Sequence, residues 1–307
     1  MPSLISDAQK KEFRDNGVVF IEHALNAEAL RLAQAAFDWS LEHPSPMAAN
    51  YPSKDDAAAT FYQDLANPNA VAAYRHTLEE SPAADIAAAI WGTPDVWFMY
   101  EQVFLKQGGK SRRTPWHQDS SYLPVDGEQL AVMWIPFEHL KKENSLELVR
   151  GSHRGTLYNG SRFDLVDDTA PIYPEETLPR LPNIEAQREG WDIVSWAIAP
   201  GDILVFHPAM LHGGAPTLPS QRRRTLSLRF FGHDAVYTPR MAGGLTPAEL
   251  PREDAGDSSE PVFRKLPRSL APGDPFRHPD FLKVRPRSAK PGSLNRTSNQ
   301  IESKRTA

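Results

Sequence analysis

The sequence predicts a mainly β protein, a sandwich or jelly roll, with its helices packed outside the sheets. Helical periodicity is confined to the N-terminal third, residues 1–94. From residue 95 to about 237 the chain shows short runs of β-branched and aromatic residues, separated by Gly and Pro. No helical pattern lies between these runs, and this spacing is typical of a sandwich or jelly roll.

Helix and strand signals alternate at the start of the chain. Ser6 is predicted to cap a short helix that runs to Asp15, Gly17 to end it, and residues 18–22 (VVFIE) to form a strand. Asn26 is predicted to cap a second, longer helix, whose apolar residues recur near a 3.6-residue period. Two further helices are predicted at residues 67–80 and 82–92.

The remaining predicted elements are strands, and one long segment lacks a clear pattern. The strands are expected at residues 95–106, 129–138, 145–150, 191–199, 202–207 and 223–231. Residues 155–190 are rich in Pro and show little periodicity. Such a long irregular segment is usually functional or disordered. We expect a mobile wall or lid, the alternative being an inert surface excursion.

The composition bounds the possible chemistry. The chain has 307 residues and no cysteine, which excludes disulfides, zinc ribbons, iron–sulfur ligation and thiol nucleophiles. It has no stretch of signal-peptide length at its start and no run of 18 apolar residues, so no membrane association is expected and the protein is predicted to be cytoplasmic.

The charge is uneven along the chain. Residues 277–307 carry eight Lys or Arg against Asp280 and Glu302, whereas the whole chain has a net charge of −5. Because residues 285–307 contain no aromatic residue, we expect a solvated basic tail and no nucleic-acid binding. The predicted organisation is one domain, 1–263, with a jelly-roll core at about 95–237, and a flexible tail, 264–307.

Without sulfur, a metal would be held by His, Asp and Glu, and His117-Gln118-Asp119 is a candidate. On an extended segment, residues i and i+2 project from one face, so this spacing directs an imidazole and a carboxylate at one point. By itself the H-x-D pattern is weak, since chance produces it often. A surface His beside a turn Asp is the alternative.

A second stretch, GDILVFHPAMLHGGAP (201–216), offers two more histidines. One distant His added to H-x-D gives the two-His-one-carboxylate triad of non-haem Fe(II), with three positions open. His207 and His212 are both candidates from the residues alone. Arg223 follows on a strand in which residues 223, 225, 227 and 229 share one face. A buried guanidinium there suits a dicarboxylate, and the alternative is a solvated rim formed with Arg222 and Arg224.

These stretches together resemble the phytanoyl-CoA dioxygenase family of Fe(II)/2-oxoglutarate-dependent oxygenases. The similar blocks are TPWHQDSSYLP, then AVMWIPFEHLKKENSLELVRGSHRGT, then GDILVFHPAMLHGGAP with RRRTLSLRFF. The opening helix, Gly and VVFIE also look like the family's N-terminus, and the resemblance covers roughly residues 6–237. It implies a double-stranded β-helix, the cupin-like jelly roll, with flanking helices.

The resemblance also implies roles for individual residues. The implied ligands of Fe(II) are His117, Asp119 and His212, of which the last precedes glycine as in the family. Arg223 would anchor the distal carboxylate of the cosubstrate 2-oxoglutarate. The implied secondary cosubstrate contacts are Lys106, Gln118 and Trp134.

The implied reaction consumes 2-oxoglutarate and dioxygen and releases succinate and CO2 while an unactivated C–H of a small organic molecule is hydroxylated. The carboxylate of Asp119 fills the position that halogenating relatives leave open, which makes hydroxylation the expected outcome. Desaturation and ring closure use the same ligands and are the alternatives. Gln102, Phe104 and Tyr122 are candidate substrate contacts, with core packing as the alternative role. A different class, a non-redox cupin-like metal enzyme or ligand-binding protein, would explain the triad but not Arg223 and Lys106.

Overall fold

A computed structural model describes residues 4–240, except 52, 54, 55, 57, 175, 176, 219 and 220, and residues 262–287. These residues form a jelly roll of antiparallel strands with helices on its outside. The fold class predicted from the sequence is confirmed.

Five α-helices and fourteen strands make up the described part of the chain. The helices are α1 Asp7–Asn16, α2 Ala27–Glu42, α3 Ala70–Glu80, α4 Ala83–Trp91 and α5 Val262–Ser269. The first strands are β1 Val18–Ile21, β2 Ala49–Asn50, β3 Thr60–Leu65, β4 Val96–Gln107, β5 Thr114–His117, β6 Val125–Asp126 and β7 Leu130–Pro136. The others are β8 Leu146–Val149, β9 Ile193–Val194, β10 Ile203–Phe206, β11 His212–Gly214, β12 Arg223–Phe231, β13 Val236–Tyr237 and β14 Lys283–Arg285.

The helix ends follow the signals in the sequence. Ser6 forms a capping box with Gln9, and Gly17 ends α1 at φ 78°, a conformation that glycine adopts without strain. The Asn26 side chain accepts from the backbone of Ala29 at the start of α2. The local part of the N-terminal prediction is therefore confirmed.

The large sheet has the order β1-β10-β7-β12-β4-β3-β2, and β14 also pairs with β4. Alternate residues of its strands face opposite sides. On β12, Leu226, Leu228 and Phe230 pack into the hydrophobic core shared with helices α1 to α4. The other face of the same strand points into the roll and carries polar side chains, among them Arg223 and Arg229.

The small sheet, β5-β11-β8-β9, forms the opposite wall of the roll. A second apolar cluster, which includes Trp134, Leu148 and Phe206, joins the two sheets at one end. Several strands here are shorter than the sequence suggested. The expected strand at 191–199 is reduced to β9 and an isolated bridge at Ile198.

The C-terminal prediction is wrong for residues 264–287. Helix α5 and strand β14 fold back onto the large sheet, and four apolar anchors, Leu266, Phe276, Phe281 and Val284, are buried. The basic character of the segment has a structural use. Arg285 is buried and pairs with Asp85 of α4, with Nη2 at 2.8 Å from Oδ2. Residues 288–307 of the expected tail lie outside the described residues.

Within the described residues, no helix has both the length and the apolar character needed to cross a bilayer.

Replacing Phe281 by Ala tests the docking of this segment. The ring is 5% exposed and lies 5.1 Å from Phe231 and 5.0 Å from Phe276 between centroids. A cavity of this size should lower the free energy of unfolding by about 3–5 kcal/mol, measured by denaturant titration. The exposed Ser269→Ala in the same segment is the control, with little change expected. Equal stability of the two variants would show that the segment does not pack in solution.

Candidate active site

His117 and Asp119 lie where a strand of the small sheet ends. His117 closes β5, Gln118 remains extended at φ −121° and ψ 125°, and Asp119 begins a short 3-10 turn. The two side chains therefore project to the same side. His117 Nε2 lies 3.5 Å from Asp119 Oδ1.

Backbone pairing brings His212 to the same point. It begins β11 and stands directly opposite His117 in the antiparallel ladder. His212 Nε2 lies 3.8 Å from Asp119 Oδ1. One ligand atom from each of the three residues lies within 4.8 Å of the others, and all three side chains are buried.

The backbone also fixes the tautomer of both histidines. Nδ1 of His117 lies 2.8 Å from the carbonyl oxygen of Pro115, and Nδ1 of His212 lies 2.9 Å from that of Met210. Because a carbonyl only accepts, each Nδ1 carries a proton and donates it, so Nε2 is the nitrogen of each ring that faces the cluster. Burial and the nearby His117 lower the pKa of His212 to about 3, so this ring is neutral at neutral pH.

Arg229 of β12 holds the other oxygen of Asp119. Its Nη2 and Nε donate to Oδ2 at 2.7 and 3.2 Å. Burial alone raises the pKa of Asp119, but Arg229 and the two histidines outweigh burial and the net shift is downward. The carboxyl group is therefore ionised, with Oδ1 directed at the histidines. Two imidazole nitrogens and one carboxylate oxygen form a donor set that suits Fe(II) and leaves three coordination positions.

His207, the competing histidine, lies outside this cluster. Its Nε2 donates to the carbonyl of Gly127 at 3.0 Å, and its Nδ1 accepts from the backbone of Ala209 at 3.1 Å. Burial lowers its pKa to about 4, so it is a neutral, internally satisfied side chain. The choice of His212 over His207 therefore agrees with the geometry.

The triad lies between two connected parts of one cavity. The cationic lobe, about 630 Å³ with its mouth, is lined by Lys106, Thr114 and Arg223 among others. The aromatic lobe, about 810 Å³ with its mouth, is lined by Met47, Tyr51, Leu65, Tyr100 and Tyr122. Both lobes share His117, Asp119, Gln63, Gln102, Phe163 and Arg229.

The cationic lobe holds two buried positive charges without an anion. Arg223 is 5% exposed, and its Nη1 and Nη2 donate to two backbone carbonyls at 2.6 and 2.7 Å. Lys106, opposite it on β4, donates to a backbone carbonyl at 2.8 Å and to Thr114 Oγ1 at 3.0 Å. Within the described ranges, neither has a carboxylate at salt-bridge distance.

The pKa values of Lys106 and Arg223 show the cost of burying both groups without an anion beside them. Burial lowers the pKa of Lys106 well below its ordinary value, and Arg223 adds to the shift. Burial, together with Arg113, lowers the pKa of Arg223 to about 10. A carboxylate bound between them would relieve the cost of burying both charges. The lobe therefore fits the far end of a dicarboxylate such as 2-oxoglutarate.

Of the two other expected cosubstrate contacts, Trp134 lies at the cavity and Gln118 does not. Trp134 lines the cationic lobe. The Gln118 amide faces away from it, donating to the carbonyl of Ala209 at 2.8 Å and accepting from the backbone of Tyr158 at 2.8 Å. Gln118 therefore ties two loops together behind the cluster of His117, Asp119 and His212. This geometry contradicts the expected contact between Gln118 and the cosubstrate.

All three expected substrate contacts line the cavity. Phe104 faces the cationic lobe, Tyr122 the aromatic lobe, and Gln102 both. The Pro-rich segment supplies Phe163, whose ring centroid lies 5.3 Å from that of His117. Arg112 holds it by donating to its carbonyl at 2.7 Å. The segment thus forms a wall of the cavity, and its movement as a lid stays a prediction.

Sequence reasoning missed Arg229, although the signal was present. The alternation along β12 puts it on the face of Arg223, but the sequence does not show which carboxylate it meets. Gln63 and Tyr51 were also missed. They lie on or beside the short strands β2 and β3, which carry no strong pattern of their own.

Comparison with known proteins agrees with this geometry. The sequence profile of the phytanoyl-CoA dioxygenase family matches residues 13–225. The human peroxisomal phytanoyl-CoA dioxygenase is 26% identical over 149 residues, which cover 47% of this chain and 42% of that protein. A probable phytanoyl-CoA dioxygenase of Caenorhabditis elegans is 22% identical over 78% of this chain and 80% of that one. The chain thus spans less than half of the human relative.

Solved structures share the fold. The non-heme alpha-ketoglutarate-dependent carbocyclase SnoK of nogalamycin biosynthesis superposes with a TM-score of 0.61 at 19% identity, covering 91% of this chain and 96% of its own. The epimerase SnoN from the same biosynthesis, solved with Fe3+, alpha-ketoglutarate and a nogalamycin compound, gives 0.62 at 16% identity, covering 91% and 98%. With most of its jelly roll matched by the family profile, the chain belongs to the phytanoyl-CoA dioxygenase family.

Proposed function

We propose that the chain is a non-haem Fe(II)- and 2-oxoglutarate-dependent dioxygenase that hydroxylates an unactivated C–H of a small organic molecule. In this proposal His117, Asp119 and His212 bind the iron. Arg223, aided by Lys106, binds the distal carboxylate of 2-oxoglutarate. The products are the hydroxylated molecule, succinate and CO2.

One observation carries the proposal. A cluster of three convergent metal-ligand atoms and a pair of buried, anion-free cations line the same cavity. A metal site alone needs only the first of these. A cosubstrate that chelates the metal at one end and ends in a carboxylate at the other needs both.

The residues of the chain divide the work. Bound Fe(II) and 2-oxoglutarate supply the oxidising chemistry by activating dioxygen. Asp119, kept ionised by Arg229, provides one oxygen ligand, and the two backbone-fixed histidines provide lone pairs without rearrangement. Arg223 and Lys106 orient the cosubstrate. Phe163 and Tyr122 help to exclude water from the side where a substrate would lie.

Hydroxylation is the outcome we propose, because Asp119 occupies the third ligand position with a carboxylate. The solved structures with this fold include a carbocyclase and an epimerase.

A non-redox cupin-like metal protein is the other class of function. It accounts for the triad but leaves Arg223 and Lys106 as two buried charges without a purpose. Replacing buried charged groups by apolar side chains often leaves the stability of a protein unchanged or raises it. The presence of Arg223 and Lys106 therefore favours the dioxygenase.

His212→Ala should abolish high-affinity metal binding, because only two of the three proposed ligands remain. Iron content per chain after anaerobic loading and desalting measures this. His207→Ala is the matched control and should keep one iron per chain, although it removes a buried hydrogen bond. Retention of iron in His212→Ala, with loss in His207→Ala, would show that the wrong histidine was chosen.

Replacing Arg223 should weaken 2-oxoglutarate binding without loss of iron. Lys cannot reproduce the two-pronged donor geometry of the guanidinium. We expect Arg223→Ala to lower 2-oxoglutarate affinity by on the order of a hundredfold, measured by anaerobic calorimetry on the iron-loaded protein. Arg223→Lys should recover part of this loss. The exposed Arg222→Ala should bind like the wild type. Unchanged affinity in Arg223→Ala would count against the anchor.

Binding of 2-oxoglutarate should also raise the pKa of Lys106, so that near the free-site pKa of this amine binding is accompanied by proton uptake. Its pKa is lowered in the free site, and a bound carboxylate would raise it again. A group whose pKa rises on binding gains a proton, so affinity should fall as pH rises above the free-site pKa. Calorimetry in two buffers of different ionisation enthalpy measures the uptake. It should vanish in Lys106→Met, and equal uptake in that variant would contradict the assignment.

A further inference from the structure

We propose that the aromatic lobe selects an uncharged substrate that carries a hydrogen-bond acceptor, a carbonyl, hydroxyl or ether oxygen, and that Gln102 and Gln63 recognise this oxygen. The inference rests on the proposed function, since it names the class of molecule that the same site would oxidise.

A line of hydrogen bonds runs from the metal carboxylate into the aromatic lobe. Arg229 Nη2 donates to Asp119 Oδ2 and to Gln102 Oε1, both at 2.7 Å. Gln102 Nε2 donates to Gln63 Oε1 at 3.3 Å. Gln63 Nε2 in turn donates to Tyr51 Oη at 2.8 Å. We call this line the amide relay.

Arg229 sets the direction of the relay. A guanidinium only donates, so Gln102 must turn its carbonyl oxygen toward Arg229 and its amino group toward Gln63. Gln63 must then accept with its oxygen and donate with its nitrogen. Each amino group has two hydrogens and uses one of them within the relay. Among the described residues neither amino group has a second acceptor, and both side chains line the cavity, so the second hydrogen of each is available to a molecule there.

Arg229 itself offers no further donor to the lobe. Within the described residues, its Nη1 has no hydrogen-bond partner, but the atom is buried and does not reach the cavity surface. The guanidinium carbon lies 4.6 Å from the centre of the Tyr100 ring, on the wall of the aromatic lobe. The donors that face a molecule in this part of the lobe are therefore the amino groups of Gln102 and Gln63.

The charge of the lobe argues for a neutral molecule. Among its described lining residues, Asp119 and Arg229 form an ion pair, and the others are aromatic, aliphatic, amide or imidazole groups. An ammonium or carboxylate would add a charge that no described side chain of the lobe neutralises, which is costly. The two anion-free cations lie in the cationic lobe, which the cosubstrate would occupy.

The relay also places the recognised oxygen near the metal site. Gln102 and Asp119 accept hydrogen bonds from the same nitrogen of Arg229. An oxygen held by Gln102 therefore lies beside a metal ligand. The C–H groups closest to the iron are then those within a few bonds of that oxygen.

Four cyclohexane derivatives of similar size test the inference: cyclohexanone, cyclohexanol, cyclohexylammonium and cyclohexanecarboxylate. Their binding is measured by saturation-transfer NMR on Zn(II)-loaded protein, with and without excess 2-oxoglutarate to fill the cationic lobe. We expect the ketone and the alcohol to bind at least about tenfold more tightly than the two ions when 2-oxoglutarate is present. Equal or tighter binding of either ion would overturn the inference.

Substitutions in the relay identify the recognising groups. Gln102→Leu and Gln63→Leu should each weaken ketone binding about fivefold, the effect of one neutral hydrogen bond. Gln102→Glu replaces donors by an acceptor and should shift the preference toward cyclohexylammonium, which a loss of packing would not do. Gln107→Leu, the same change on β4 outside the cavity, is the control. A ketone preference that survives in all three relay variants would overturn the inference.

This measurement is independent of oxygenase activity. It uses neither iron nor dioxygen, so a protein that binds the ketone through Gln102 but never converts 2-oxoglutarate would refute the proposed function alone. A protein that converts 2-oxoglutarate but prefers a charged derivative would refute this inference alone.

Discussion

Two arginines buried on one face of a single strand organise this site. Arg223 and Arg229 are six residues apart on β12, and the two-residue repeat of a strand sends both into the roll. Buried guanidinium groups need partners. Arg229 has one in Asp119, and this ion pair fixes the carboxylate that faces the histidines. Among the residues that the structure describes, Arg223 has only backbone carbonyls as partners, so its end of the cavity attracts an anion.

The difference between the two arginines divides the cavity. At the Arg229 end, charge is already neutralised, and the walls are aromatic and amide groups that suit an uncharged molecule. At the Arg223 end, Lys106 adds a second charge, and only an anion from outside can compensate for both. The triad stands between these regions. The position of Asp119 therefore decides which end of the cavity is already neutralised and which end needs an anion.

Local patterns were enough to predict much of the molecule. Ser6, Gly17 and Asn26 act through neighbours in the chain, so their caps could be read directly. The same holds for the polar face of β12. The C-terminal segment could not be read this way, because its buried anchors are widely and irregularly spaced in a basic sequence. Its docking depends on contacts such as Arg285 with Asp85, 200 residues away.

The convergence of His117, Asp119 and His212 could be predicted from the sequence, whereas the surroundings of this cluster could not. The triad and Arg223 follow from spacing together with the family resemblance. The orientation of Gln118 is set by the loops near residues 158 and 209, which only the folded chain brings together. The partner of Arg229 is likewise 110 residues distant. Contacts of this range carry no signal in a single sequence.

Succinate formed under ¹⁸O₂ tests the central claim most directly. The Fe(II)-loaded protein is incubated with 2-oxoglutarate, and the succinate is analysed by mass spectrometry. The account predicts slow formation of succinate that carries one ¹⁸O atom, one molecule for each 2-oxoglutarate consumed. Iron-loaded protein that leaves 2-oxoglutarate unchanged, or forms only unlabelled succinate, would contradict it and favour a metal protein without oxidative chemistry.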